Sequence, residues 1–221
     1  MSNHNKTPIF PDSYLGDNSL EYDNSIWMER NQKKTTLVCL QYLNDDKLNM
    51  LGKVHSITKI NYLIADLGCG TGFSSEILVD NGHRVIGIDI LKDMLLKAKD
   101  KKKLFKKEKE LELILADINH LPIKQASIDH IISVSAYNFI IHGKKLISDI
   151  SKTINNTARN LKEVLKPNGR IVIEFYPKDE KELDVFRSSF KDNNFDGFMV
   201  KKDPNQKSGQ TFLLLKKRRK L

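Results

Sequence analysis

Apolar strand-like runs alternating with amphipathic helices, aspartates closing the first three runs, and a final pair of runs joined by a polar turn predict the fold class. It is a Rossmann-like α/β fold: a seven-stranded, mostly parallel sheet with helices on both faces and a C-terminal antiparallel hairpin. At 221 residues, 39% hydrophobic and 29% charged, the chain can bury the core of one domain. Residues 1–24, with Pro8, Pro11 and Gly16, read as an irregular arm, 25–215 as the folded domain and 216–221 as a basic tail.

The elements follow in order. Ile26, Leu37, Leu40 and Leu43 share one face of a helix over 25–43. Residues 62–65 form a short buried strand that runs into Asp66 and a glycine cluster. A helix over 73–79 stops at Asn81-Gly82. The second strand, 84–88, ends at Asp89, and a lysine-rich helix follows from 91 to about 107. The third strand, 111–116, ends at Asp117, and the fourth, 128–134, runs into Ser135-Ala136-Tyr137. Ile147, Ile150, Ile154, Ala158, Leu161 and Leu165 line the longest amphipathic helix, which Lys166-Pro167-Asn168-Gly169 should stop. A fifth strand over 170–175, a helix over 183–191 and the runs 197–200 and 211–215 complete the chain. The turn near Asp203-Pro204-Asn205 makes the last two a hairpin.

In such sheets ligands bind beyond the carboxyl ends of the strands. Gly68, Gly70 and Gly72 permit a tight turn against which a ligand can lie. Phe73 stands where a nicotinamide-binding pattern needs its third glycine, and Asp66 would repel a pyrophosphate. A carboxylate there suits the sulfonium and ammonium groups of S-adenosylmethionine. Asp89 can accept both ribose hydroxyls, and Asp117, with Ile118 beside the ring, the adenine amino group. Each aspartate alone could be a helix N-cap; on consecutive strands they argue together for a ligand.

The pattern over 62–215 resembles the class I methyltransferase superfamily. Nearly the whole chain is similar to the small-subunit ribosomal RNA guanine-N7 methyltransferases and their archaeal relatives. The resemblance is carried by Phe175-Tyr176-Pro177-Lys178, Ile132-Ser133-Val134-Ser135-Ala136, Glu76-Ile77-Leu78, Phe195-Asp196-Gly197-Phe198 and Asp203-Pro204. The segment 22–36 is similar to that family's N-terminal helix over the cofactor. Trp27-Met28 departs from an expected basic residue, Tyr137-Asn138-Phe139 from a Gln-Trp pair, and the short basic tail points toward the archaeal relatives.

The resemblance implies cofactor contacts from Asp66, Gly68, Gly70, Gly72, Asp89, Ile90, Asp117, Ile118 and Ser133, with Tyr176, Pro177, Tyr137 and Asn138 around the base. Guanine N7 carries an in-plane lone pair and no proton that must leave, so proximity suffices and no catalytic acid, base or nucleophile is expected. No Asn-Pro-Pro-Tyr follows the fourth strand, and neither Cys39 nor Cys69 is placed to attack a ring.

Two cysteines support neither a disulfide framework nor a four-thiolate metal site, so no metal is expected in this chain. A polar N-terminus and the absence of a long apolar run suggest an intracellular protein away from membranes: cytoplasmic for an archaeal type, nuclear or nucleolar for a eukaryotic one. The net charge of +9, with lysines over 97–109 and 216–220, favours nucleic acid or reflects solvated faces. The tail is either a nuclear signal or phosphate-binding charge. The resemblance also implies a small zinc-binding activator subunit pairing with edge strand 111–116, unless a loop of this chain covers that edge. Beside the ribosomal RNA reading stand a methyltransferase for a protein or small molecule, and an assembly factor that docks to pre-ribosomal RNA.

Overall fold

The computed structural model describes residues 9–44, 61–202 and 209–218. Seven strands form one sheet in the order β3-β2-β1-β4-β5-β7-β6. The strands in that order are β3 (Leu111–Leu115), β2 (Arg84–Asp89), β1 (Leu63–Leu67), β4 (Ile128–Ser133), β5 (Leu165–Glu174), β7 (Thr211–Lys217) and β6 (Phe195–Lys201), numbered along the chain. The first five run parallel, and β7 inserts antiparallel between β5 and β6. The turn expected at 203–205 lies outside the described residues.

Alternate side chains of the central strands face opposite layers, as the strand period of two requires. Ala65, Ile131, Ile171 and Ile173 pack with Ile154, Leu161, Phe186 and Phe190 from α5 (Ile147–Val164) and α6 (Glu180–Asp192). Ile64, Ile132 and Val172 pack on the other face with Val38 of α2 (Ile26–Leu43) and with Leu78 and Val79 of α3 (Phe73–Asp80). Both faces are thus covered, which explains why the parallel strands read as near-continuous apolar runs. No helix among the described residues is long and apolar enough to cross a membrane.

Four boundaries differ from expectation. The arm is ordered over 9–24: a 3-10 turn (Asp12–Tyr14) and α1 (Asp17–Asp23) fold back over the sheet. The Gly16 amide donates to Asp93 at 2.7 Å, and Asp23 pairs with Lys101. Helix α4 (Lys92–Lys102) ends before Lys106 and Lys107; Phe105 turns away to pack against the α2–α3 face of the sheet. Lys166-Pro167-Asn168-Gly169 does not precede β5 but lies inside it as an irregularity, where Leu165 pairs with Ile128 and Arg170 already with His130. At the other end β7 takes in Lys216 and Lys217, and the Lys217 ammonium reaches the Leu165 carbonyl.

Candidate functional site

The carboxyl ends of β1, β2, β4 and β5 converge with the loop after β3 on one edge of the sheet. The glycine turn is hooked onto β2, since the Gly68 and Cys69 amides both donate to the Ile88 carbonyl at 2.8 and 3.0 Å. Gly68 has φ +69, and a Cβ built there would stand 2.2 Å from the Cβ of Ala136. The turn can therefore press against the β4 loop only with glycine at this position. Gly72 starts α3 in the left-handed conformation.

Asp66 is fully buried. Its Oδ2 accepts the hydroxyls of Ser74 and Ser75, both at 2.6 Å, while Oδ1 has no partner. An orphaned buried carboxylate oxygen is costly unless something meets it. A cationic ligand in the glycine turn is the natural partner, so the site fits S-adenosylmethionine. Burial pushes the Asp66 carboxyl up to about 6, against the two serine hydroxyls that lower it. A bound cation favours the ionised form, so below that value binding must release a proton. Affinity for S-adenosylmethionine is therefore expected to be level above neutrality and to fall by about tenfold per pH unit at acid pH. Calorimetric titration across that range measures it, and Asp66→Asn should flatten the profile.

Asp89 accepts the Gly70 amide on Oδ2 and the Leu91 amide on Oδ1, each at 2.9 Å. Each oxygen retains a lone pair for a ribose hydroxyl. Burial raises its carboxyl too, partly offset by these amides. Beside it Ile90 is 51% exposed, an apolar surface that an adenine ring can cover. Asp117 spends Oδ1 on the amide and side chain of Asn119, forming an Asx turn, and its Oδ2 lies 3.9 Å from His120 Nδ1. Ile118 packs partly against the core. The Ser133 hydroxyl donates to the Leu67 carbonyl at 2.9 Å, and the residue is fully buried beside Ile173 of β5.

Two residues expected around the base are engaged by the protein itself. Tyr137 is fully buried with its ring against Phe186 and Phe190, so it belongs to the core and does not face an open pocket. Asn138 clamps the loop to β5: its side chain donates to the Tyr176 carbonyl at 2.8 Å and accepts the Tyr176 amide at 3.0 Å. It thereby places Tyr176, which is 49% exposed, with the partly buried Pro177 next to it.

The arm supplies what the motif reading did not find. Phe10 stacks on Phe139, ring centroids 4.7 Å apart, and Tyr22 stacks beside Phe73 of α3. Lys101, paired with Asp23, sits over the Phe73 ring and reaches Thr71 Oγ1 at 3.4 Å. Residues 9–24 thus span from the β4 loop to the glycine turn. Aromatic spacing was the available signal, but nothing local says what the rings stack on.

Residues 65–173 match the family described as a methyltransferase domain. The chain is 32% identical over 152 residues to an 18S rRNA (guanine-N(7))-methyltransferase of Bos taurus, covering 68% of this chain and 52% of that protein. It is 30% identical over 200 residues to an 18S rRNA (guanine(1575)-N(7))-methyltransferase of Saccharomyces cerevisiae, covering 89% of this chain and 66% of that protein. Several of the curated relatives it matches are therefore about twice as long as the stretch it shares with them. A magnesium protoporphyrin IX methyltransferase from Synechocystis PCC 6803 with bound SAH shares the fold, with TM-score 0.66 at 17% identity over 94% of this chain and 97% of that one.

Proposed function

The chain belongs to the class I S-adenosylmethionine-dependent methyltransferases, and on that premise we propose that it methylates guanine N7 in small-subunit ribosomal RNA during ribosome assembly. The observation that carries this reading is the likeness to the yeast 18S rRNA enzyme along 89% of the chain. The exposed Lys99, Lys103, Lys106 and Lys107 at and beyond the end of α4 support an RNA substrate through phosphate neutralisation.

When bound, the cofactor supplies an electrophilic methyl group on a sulfonium. Asp66 and the glycine turn would hold its cationic end and Asp89 its ribose, while Ile90 and Asp117 would receive the adenine. Tyr176, fixed by Asn138, offers a ring on which the base can stack, a contact of about 1 to 3 kcal/mol. With N7 already nucleophilic, the work of these residues is alignment and exclusion of water.

A partner belongs to this reading. Edge strand β3 is paired only with β2 among the described residues, and Leu115 is 57% exposed. With Leu96 and Lys99 of α4 it borders a groove of about 360 Å³. A small zinc-binding activator adding a strand there would cover the groove. Leu115→Glu is expected to abolish copurification of that subunit, and wild-type recovery with the variant would remove the edge from the interface. The enzyme would work where ribosomal precursors are made: the cytoplasm of an archaeal cell, or the nucleus and nucleolus of a eukaryotic one.

The direct test is transfer of labelled methyl to purified small ribosomal subunits, alone and with the activator, followed by cleavage at N7-methylguanine. Label at one guanine supports the reading. Absence of label despite measured cofactor binding and a formed activator complex sinks it in favour of a protein or small-molecule substrate.

A further inference from the structure

Glu174, the last residue of β5, is outside every set assigned so far, although it is 1% exposed at the same edge of the sheet. Its Oε1 accepts the Tyr176 hydroxyl at 2.7 Å and the Gln210 amide at 2.6 Å; its Oε2 accepts the Ser135 hydroxyl at 2.6 Å. The Gln210 amide nitrogen also donates to Thr35 Oγ1 at 2.7 Å. Ser135 is held at φ +54, an unfavourable backbone for a serine that persists because its surroundings fix it.

Following the hydrogens shows the polarity of this cluster. Tyr176 and Ser135 own one hydroxyl proton each, and Glu174 takes both. Gln210 divides its amide protons between Glu174 and Thr35. What remains on the Tyr176 and Ser135 hydroxyls is lone pairs, with no proton to donate. The cluster borders the methyl-transfer region: Ser135 directly precedes Ala136, which touches the glycine turn, and Tyr176 is half-exposed.

We propose that Glu174 is a positioning residue, turning the protons of Tyr176 and Ser135 inward so that their hydroxyl oxygens present acceptors, and no donor, toward the methyl-transfer region. The inference rests on the guanine-N7 reading above. In that reaction the N7 lone pair forms the bond to the methyl carbon, and the electron pair of the broken C–S bond stays with sulfur. No proton leaves, and the positive charge passes to the purine. Acceptors fixed beside that charge favour it in the transition state.

The test compares Glu174→Gln with the unaltered full chain, each with the activator, on small ribosomal subunits. A glutamine donates where the carboxylate accepted, so a hydroxyl must turn outward as a donor. Expected is a loss of kcat on the order of 10²-fold with KM for the subunit and S-adenosylhomocysteine affinity nearly unchanged. Tyr176→Phe should also lower kcat in the unaltered chain but add little in the Glu174→Gln background, because the two act as a unit. Undiminished kcat in Glu174→Gln overturns the proposal. So does parallel loss of thermal stability, cofactor affinity and activity, which identifies a folding role only. Absence of guanine methylation by the unaltered chain is a different result: it refutes the substrate reading, and this inference falls with it.

Discussion

Asp89→Ala is expected to weaken S-adenosylhomocysteine binding by roughly 10²- to 10³-fold while the protein stays folded. The carboxylate is placed to accept two ribose hydroxyls, and hydrogen bonds to a charged group contribute about 1.5 to 3 kcal/mol each. Taking about 3 to 4 kcal/mol for the pair converts to that loss of affinity. The same carboxylate also holds the Gly70 amide at 2.9 Å, so its removal loosens the turn that faces the ligand. Calorimetry with the product cofactor measures the effect without needing the RNA substrate. A loss below about tenfold, less than one such bond, would mean that Asp89 only braces the loop and that the ribose is held elsewhere.

Gly68→Ala tests the turn itself. The new methyl group would stand 2.2 Å from the Ala136 Cβ on a residue with φ +69. The left-handed backbone costs a non-glycine residue about 1 to 2 kcal/mol. Overpacking adds about 1 to 3 kcal/mol, since a Cβ cannot rotate away. The expected total of about 2 to 5 kcal/mol corresponds to a Tm lower by roughly 5 to 15 °C in a domain of this size. Gly82→Ala separates the two contributions: Gly82 has φ +89 with nothing within 4 Å of its Cβ position. That variant should suffer the backbone cost alone, and equal losses in the two variants would show that the Ala136 contact is not tight. Gly68→Ala should also lose cofactor binding, because the clash can be relieved only by moving the turn or the β4 loop.

The strand ends that carry Asp66, Asp89 and Asp117 were legible in the chain because their determinants are local. A short apolar run ending in an acid and followed by glycines is strand, turn and helix start within a few residues. For Asp66, Asp89 and Asp117 that pattern was enough to place the residues at one edge of a parallel sheet, since each strand order and each crossover is constrained by handedness and connection length. The helix at 26–43 followed from periodicity, and the terminal hairpin from two strand-like runs joined by a polar turn.

The surroundings of Tyr137, Asn138, Glu174 and Tyr176 were decided by tertiary structure. Tyr137 and Tyr176 are both tyrosines just after strands, yet one is buried against Phe186 and the other half-exposed. That difference depends on α6, which is far along the chain. Asn138 looked like a substrate contact, but its amide matches the main chain of Tyr176, 38 residues away, and becomes a clamp. In the sequence Glu174 is one more residue of the fifth strand, 170–175, with no role attached. It became the centre of a hydrogen-bond cluster only because β7 inserts beside β5 and brings Gln210 to it, with Thr35 of α2 beyond. A side chain's backbone conformation is set largely by its neighbours in sequence. Whether its polar atoms face ligand, core or another side chain depends on which distant groups desolvate it and satisfy its hydrogen bonds.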